Sequence, residues 1–329
     1  MNPQEIFSPH HGRTVKFGRT RAVAHGPRMK MRKYLQAIPP APPAEDYSPL
    51  AAASLSQIFG NDQLGDCVIA GIGGHILGVE TGNAGACFVT TEADIIKEYS
   101  AIGGYVVGDA STDQGCNEET ALNWYVANGT ANGTKPLGWL AVDATNENEV
   151  KSALYLFENL VFGIELPDAW VTPFPDAPGF VWDVAGAPDP QNGHCIVGVG
   201  YTAAGVIVAS WGMLGVLTWA AIAEYCCSGN GGELYVLITP DQLTKGQQKA
   251  PNGFAWADLI VDFDALGGHV SPPDPIPVPA PVPQPASGPV TLAQAQAFAT
   301  AGLARAHAVL TRGQAEAWAR KGLSDNWPK

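Results

Sequence analysis

No apolar run in this 329-residue chain reaches the length of a membrane span, because Gly, Asp or Glu interrupts each of the longest ones. The N-terminus, MNPQEIFSPHHGRTVKF, lacks the apolar region of a secretory signal, so none is expected. Cysteine is scarce. The six at 67, 87, 116, 195, 226 and 227 are too few for a disulfide scaffold and lack metal-ligand spacing. No metal and no cofactor is therefore expected, and reduced thiols are the default, with a Cys87–Cys116 bridge left open. Positive charge is missing from the middle of the chain: residues 36–288 set five lysines (Lys97, Lys135, Lys151, Lys245 and Lys249) against 28 carboxylates, a net −23. Such a core repels nucleic acid.

The basic residues sit at the ends. Residues 1–35 carry eight Lys and Arg against Glu5 alone, and residues 289–329 carry five against two acids. Opposite signs allow the N-terminal arm to lie on the acidic body of its own chain or of a neighbour. A solvated tail is the equal alternative.

The first stretch, 1–54, reads as a basic, Pro-rich arm, with the turn-like IPPAPPAEDYSP at 38–49. Residues 55–269 read as the folded domain. Helices are expected over 67–80 and from Thr90, Asn117 and Asn146, each of these three starts offering a capping side chain and acidic first-turn residues. The second half changes period: 159–167, 194–202, 205–211 and 233–239 are short, β-branched and bounded by Gly, Pro or Asn, as strands are. Short helices are expected over 218–226 and 256–266. The result is an α+β layout, a helical half and an antiparallel β half with a cleft between them. SPPDPIPVPAPVPQPASGP falls in a polyproline linker expected over 270–289, and residues 290–329 read as a small helical module. That module is too small for a robust core of its own, so it is expected to dock on something.

One stretch concentrates the chemistry: NDQLGDCVIAGIGGH, residues 61–75. Cys67 falls where a loop meets a helix, and a helix N-terminus favours a thiolate. Its proton partner would come from another segment. His194, in QNGHCIVGVGY, opens a strand and is the best candidate. His75 shares the helix of Cys67, where two straight turns put it about 12 Å away. Cys195, beside His194, should point the opposite way, into packing. Glycine pairs such as GIGG lack the Lys-Ser/Thr of a phosphate loop and fit close helix packing.

NDQLGDCVIAGIGGH resembles the nucleophile loop and helix of papain-like cysteine peptidases, with LGDC similar to the calpain form. GHCIVGVGY at 193–201 resembles the strand that opens on the family's catalytic histidine, and ASWG at 209–212 its NSWG element. The resemblance covers roughly residues 55–240. It implies a papain-like fold with Cys67 as nucleophile, His194 as base and Trp211 shielding the histidine. It also implies an oxyanion hole served by the amide of Asn61 or Gln63. The orienting asparagine is replaced by Ala209, leaving Asn192 or Asp183 as substitutes. The stretch 13–268 is also similar to uncharacterised bacterial and phage proteins, a similarity that implies fold and no activity.

Two functions follow. In one, a Cys67–His194 dyad hydrolyses a peptide or protein substrate, the basic arm serving as an autoinhibitory segment. In the other, the fold is catalytically weak or idle and serves assembly, for example as a capsid or decoration protein of a phage particle. Self-association or other protein partners would then engage the N-terminal arm and the C-terminal module. Neither reading calls for a membrane, and the expected location is cytoplasmic or within a virion.

Overall fold

Each of the three capped helix starts forms in the computed structural model, which describes residues 4–21, 28–37 and 41–266. Thr91, Asn117 and Asn146 accept from the third backbone N–H of the helices Glu92–Gly103, Glu118–Asn128 and Glu147–Phe157. The closing helices run Trp219–Tyr225 and Trp256–Ala265. An additional helix, Pro240–Lys249, is set by a capping box between Thr239 and Gln242.

The strands Leu160–Pro167, Pro188–Tyr201, Gly205–Ser210 and Glu233–Ile238 follow the β-branched runs. The first two pair antiparallel at the centre of an eight-stranded sheet, with Ile164 opposite His194. Four short strands of the sheet escape the β-branched signal: Glu45–Asp46, Gly138–Ala141, Phe180–Trp182 and Met213–Thr218. Phe180–Trp182 joins the edge in parallel; the other pairings are antiparallel.

Both faces of the central strands are buried, which is why they read as continuous apolar runs. Leu160, Phe162, Ile164 and Ile196 face one core, shared with Phe157, Trp211 and Phe263. Val161, Cys195, Val197 and Val199 face a second core, shared with Ile69, Ile72, Tyr99 and Tyr125 of the helical half. Each fully buried Leu or Phe contributes about 1.5–3 kcal/mol.

The arm is not a separate lead-in. Its described residues belong to the same unit as the domain. The hairpin Glu5–Ser8/Arg13–Lys16 leads into Phe17, and Val15, Phe17, Met31 and Tyr34 are buried in the first core. Lys33 Nζ and Tyr34 Oη both donate to Asp262 Oδ2, at 2.7 and 2.6 Å, joining the arm to the last described helix. The boundary expected at residue 54 therefore has no counterpart in the packing. The proline-rich linker and the C-terminal module lie outside the described residues.

Candidate active site

Cys67 is the first residue of one continuous helical run. The run is α-helical over Cys67–Ile69, π-helical over Ala70–Ile76 and α-helical again over Leu77–Asn83. Gly73 and Gly74 let this helix approach its neighbours; a Cβ on Gly73 would lie 2.2 Å from Tyr125 Oη. Ser54 Oγ and Thr90 Oγ1 donate to the carbonyls of Gly74 and Gly73, at 3.0 and 2.7 Å.

The π segment changes which residues share a face. In a straight α-helix the eighth residue on is rotated by about 80°. The wider i→i+5 winding turns less per residue and brings His75 back toward the face of Cys67. His75, Cys67 and His194 line one small cavity, together with Asn61, Cys195 and Ser210. His75 Nδ1 lies 3.2 Å from Ser54 O, so Nδ1 carries the proton and donates. Burial holds its pKa down at about 4.

His194 is 1 % exposed. Its Nε2 lies 3.0 Å from Ser210 Oγ, and its Nδ1 has no partner among the described residues. Trp211 stacks on the imidazole at 3.6 Å between ring centroids and 8° between planes. The stack depends on a tight hairpin: Ser210 pairs with Met213, and the two residues between them, Trp211 (φ 45°) and Gly212 (φ 73°), both adopt positive φ. That conformation suits Gly212 and costs Trp211 about 1–2 kcal/mol.

Ser210 is thus the residue at the histidine where the resemblance offers Ala209. The proposed substitutes are engaged elsewhere. Asn192 Nδ2 donates to Leu166 O and Asp168 Oδ1, both at 3.1 Å, and Asp183 Oδ1 accepts from Thr218 Oγ1 and the Val184 amide. The sequence signal was the serine in ASWG itself, one position beyond the place of the missing asparagine.

Of the two amides considered for an oxyanion hole, Asn61 lines the cavity, while Gln63 is exposed and does not. Asn61 Nδ2 donates to Leu64 O at 2.9 Å, which leaves its second N–H. Cys195 faces the helical half, as alternation requires, close to Gly71, where a Cβ would meet its Sγ at 3.3 Å. All six cysteines are free thiols, Cys87 and Cys116 included.

Cys67 is 2 % exposed, and burial pushes its pKa up to about 12. The backbone amides of Cys195 and Gly18 oppose that rise without reversing it. Burial, and to a lesser degree His75, holds His194 well below the ordinary imidazole value. The pair therefore rests as thiol and neutral imidazole.

The arm covers both members. Phe17 packs edge-on against His194 and Trp211, at 5.9 and 5.5 Å. Gly18 N and Arg19 N donate to Gly193 O, at 3.2 and 3.1 Å. On the other wall, Cys116 N donates to Gly18 O and Thr20 N donates to Cys116 O, at 3.0 and 2.9 Å. Residues 17–20 are a segment held between the two halves, with Arg19 in an isolated parallel bridge to Cys116.

Among solved structures the chain resembles xylellain, a cysteine protease from Xylella fastidiosa, with a TM-score of 0.50 at 15% identity over 68% of this chain and 96% of that one. The fold is papain-like. It also matches procathepsin L 3 from the larval midgut of Tenebrio molitor, with a TM-score of 0.49 at 14% identity over 67% of this chain and 76% of that one. By sequence, no family model and no curated protein matches it. Among the described residues no helix is long and apolar enough to cross a membrane, and no cluster of side chains could hold a metal ion.

Proposed function

We propose that the chain is a papain-like thiol hydrolase acting on peptides, with Cys67 as nucleophile and His194 as base, resting in a closed state. The observation that carries this reading is the division of labour at His194. Nε2 is engaged by Ser210 and the ring is held by Trp211, while Nδ1 is left without a partner beside the cavity that Cys67 lines. With the Nε2 proton donated to Ser210 Oγ, Nδ1 carries a lone pair.

With the arm displaced, Nδ1 takes the proton of Cys67, and the thiolate attacks the acyl carbon of a substrate amide. The free N–H of Asn61 and the backbone N–H of Cys67 donate to the oxyanion. Collapse breaks the C–N bond, and the proton on Nδ1 passes to the leaving amine. Water then releases the acyl group from sulfur, with His194 as base.

The test is labelling by a peptidyl electrophile, applied to the intact chain and to a chain nicked at a protease site placed between Arg21 and Arg28. Label on Cys67 that appears after nicking and is lost in His194→Ala supports the hydrolase. A folded, nicked chain that never labels favours a second reading, in which the fold is kept for a structural role and the thiol is retired. The burial of Cys67 beneath the arm is the observation on that side.

A further inference from the structure

The segment lying over Cys67 does more than fill space, because one of its side chains is read in detail. Arg19 is fully buried. Its Nη2 donates to Glu233 Oε1 at 2.5 Å, its Nη1 to Gly231 O at 2.8 Å, and its Nε lies 3.3 Å from Glu118 Oε2. Tyr235 Oη lies 2.5 Å from Glu233 Oε2 and 2.9 Å from Glu119 Oε1, and its single proton on the nearer oxygen holds the Glu233 carboxylate. Gly163 forms one wall; a Cβ there would lie 2.8 Å from Arg19 Nε. The two carboxylates outweigh desolvation and raise the pKa of Arg19. The pocket thus matches a guanidinium in charge, in donor geometry and in shape, where an ammonium would meet only part of it.

The backbone on either side is recognised independently of side chains. Gly193 O accepts from Gly18 and Arg19, and Cys116 exchanges hydrogen bonds with Gly18 O and Thr20 N. Position 18 is restricted to glycine, since a Cβ would fall 1.9 Å from Gly65 O.

We propose that this cleft is a peptide-binding site selective for an extended Gly-Arg segment, that the Glu118–Glu233 pair is its arginine pocket, and that residues 17–20 are its resident ligand, bound in cis. The inference rests on reading the cleft as a peptide site and extends it to a ligand class: peptides with arginine directly after glycine. Such recognition joins backbone pairing for affinity to one side-chain pocket for selection.

The experiment uses the full chain carrying Arg19→Ala and three fluorescein-labelled peptides, RTVKFGRTR (residues 13–21) and its Arg19→Ala and Arg19→Lys forms. Anisotropy should show the first binding at least about tenfold more tightly than the second, the lysine form falling between them. Cys67 alkylation should be at least about tenfold faster in the variant chain, and the arginine peptide alone should slow it again. Should the variant chain not fold unaided, refolding with the arginine peptide is expected to recover it, and refolding with the alanine peptide is not. Equal effects of the arginine and alanine peptides, or binding of neither to a folded chain, would overturn the proposal. Selective binding without any turnover would sustain it while removing the hydrolase reading, and turnover indifferent to arginine would do the opposite.

Discussion

His194 and Ser210 meet at 3.0 Å, Nε2 to Oγ, under the plane of Trp211. A hydroxyl one carbon from the backbone does there what a longer amide does in the NSWG pattern. It leaves Nδ1 as the ring nitrogen without a partner among the described residues. Ser210→Ala removes the one hydrogen bond made to the ring among the described residues and should cost about 1–3 kcal/mol of stability. In a nicked, labelling-competent chain it should slow Cys67 labelling by about tenfold or more. Urea melts beside labelling rates check both. Unchanged labelling in a folded Ser210→Ala chain would remove Ser210 from the site.

Cys67 in the intact chain should behave as an inert thiol. With its pKa raised from 9.0 to about 12, its thiolate fraction near pH 7 falls about a thousandfold below that of an ordinary cysteine. Iodoacetamide labelling, read by peptide mass spectrometry against the more exposed Cys87 and Cys227, should be slow at pH 7. It should rise about tenfold per pH unit up to pH 10. His194→Ala should leave that profile unmoved, because the imidazole is neutral and supplies no charge to stabilise a thiolate. Fast labelling of the intact chain below pH 7 would contradict the closed state.

What the residues revealed, and what they hid, divides along a physical line. Caps such as Asn117 and Asn146, and strands buried on both faces such as Leu160–Pro167, announce themselves locally. Cys67, His194 and Trp211 were legible because fixed neighbours surround them. Whether the arm packs was left open because Pro, Arg and His within the first 54 residues signal exposure while the opposite charges favour docking, and Val15, Phe17 and Arg19 find their partners up to about two hundred residues away. Composition carries no record of such contacts. His75 was set aside on α-helical spacing, and nothing in AGIGGHI announces a π turn. Met213–Thr218 was hidden by its glycine and its short, half-buried alternating pattern.

Two glycines of the arm should respond very differently to alanine. Gly18→Ala drives a Cβ to 1.9 Å from the backbone oxygen of Gly65, where no flexible side chain can yield. The segment must lift or the walls part, at about 3 kcal/mol or more. Gly12, in the hairpin turn, has φ 62° and open space around its missing Cβ. Gly12→Ala should therefore cost only the left-handed strain, about 1–2 kcal/mol. Chemical denaturation of both variants tests the contrast. Equal losses would mean that residues 17–20 do not sit tightly in the cleft.

Asp66, immediately before Cys67, offers a test whose sign is set by pH. Its carboxyl is fully buried and neither oxygen makes a hydrogen bond among the described residues; its own backbone amide and the Asn61 side chain lie near enough only to oppose the upward shift. Burial pushes its pKa well above 3.8, with a smaller push from Asp113. The folded state thus binds this proton more tightly than the unfolded chain does. Below the unfolded value the group carries no penalty; as pH rises past about 4 the unfolded state ionises first and stability falls, until the folded carboxyl also ionises. Asp66→Asn cannot ionise and escapes that loss. Its stability relative to the parent should therefore grow between pH 5 and pH 8, reaching a gain of about 1–3 kcal/mol at the upper end. Urea melts of both proteins at the two pH values measure it. A difference that stays constant, or that shrinks as pH rises, would mean that Asp66 is ionised and paired in the fold.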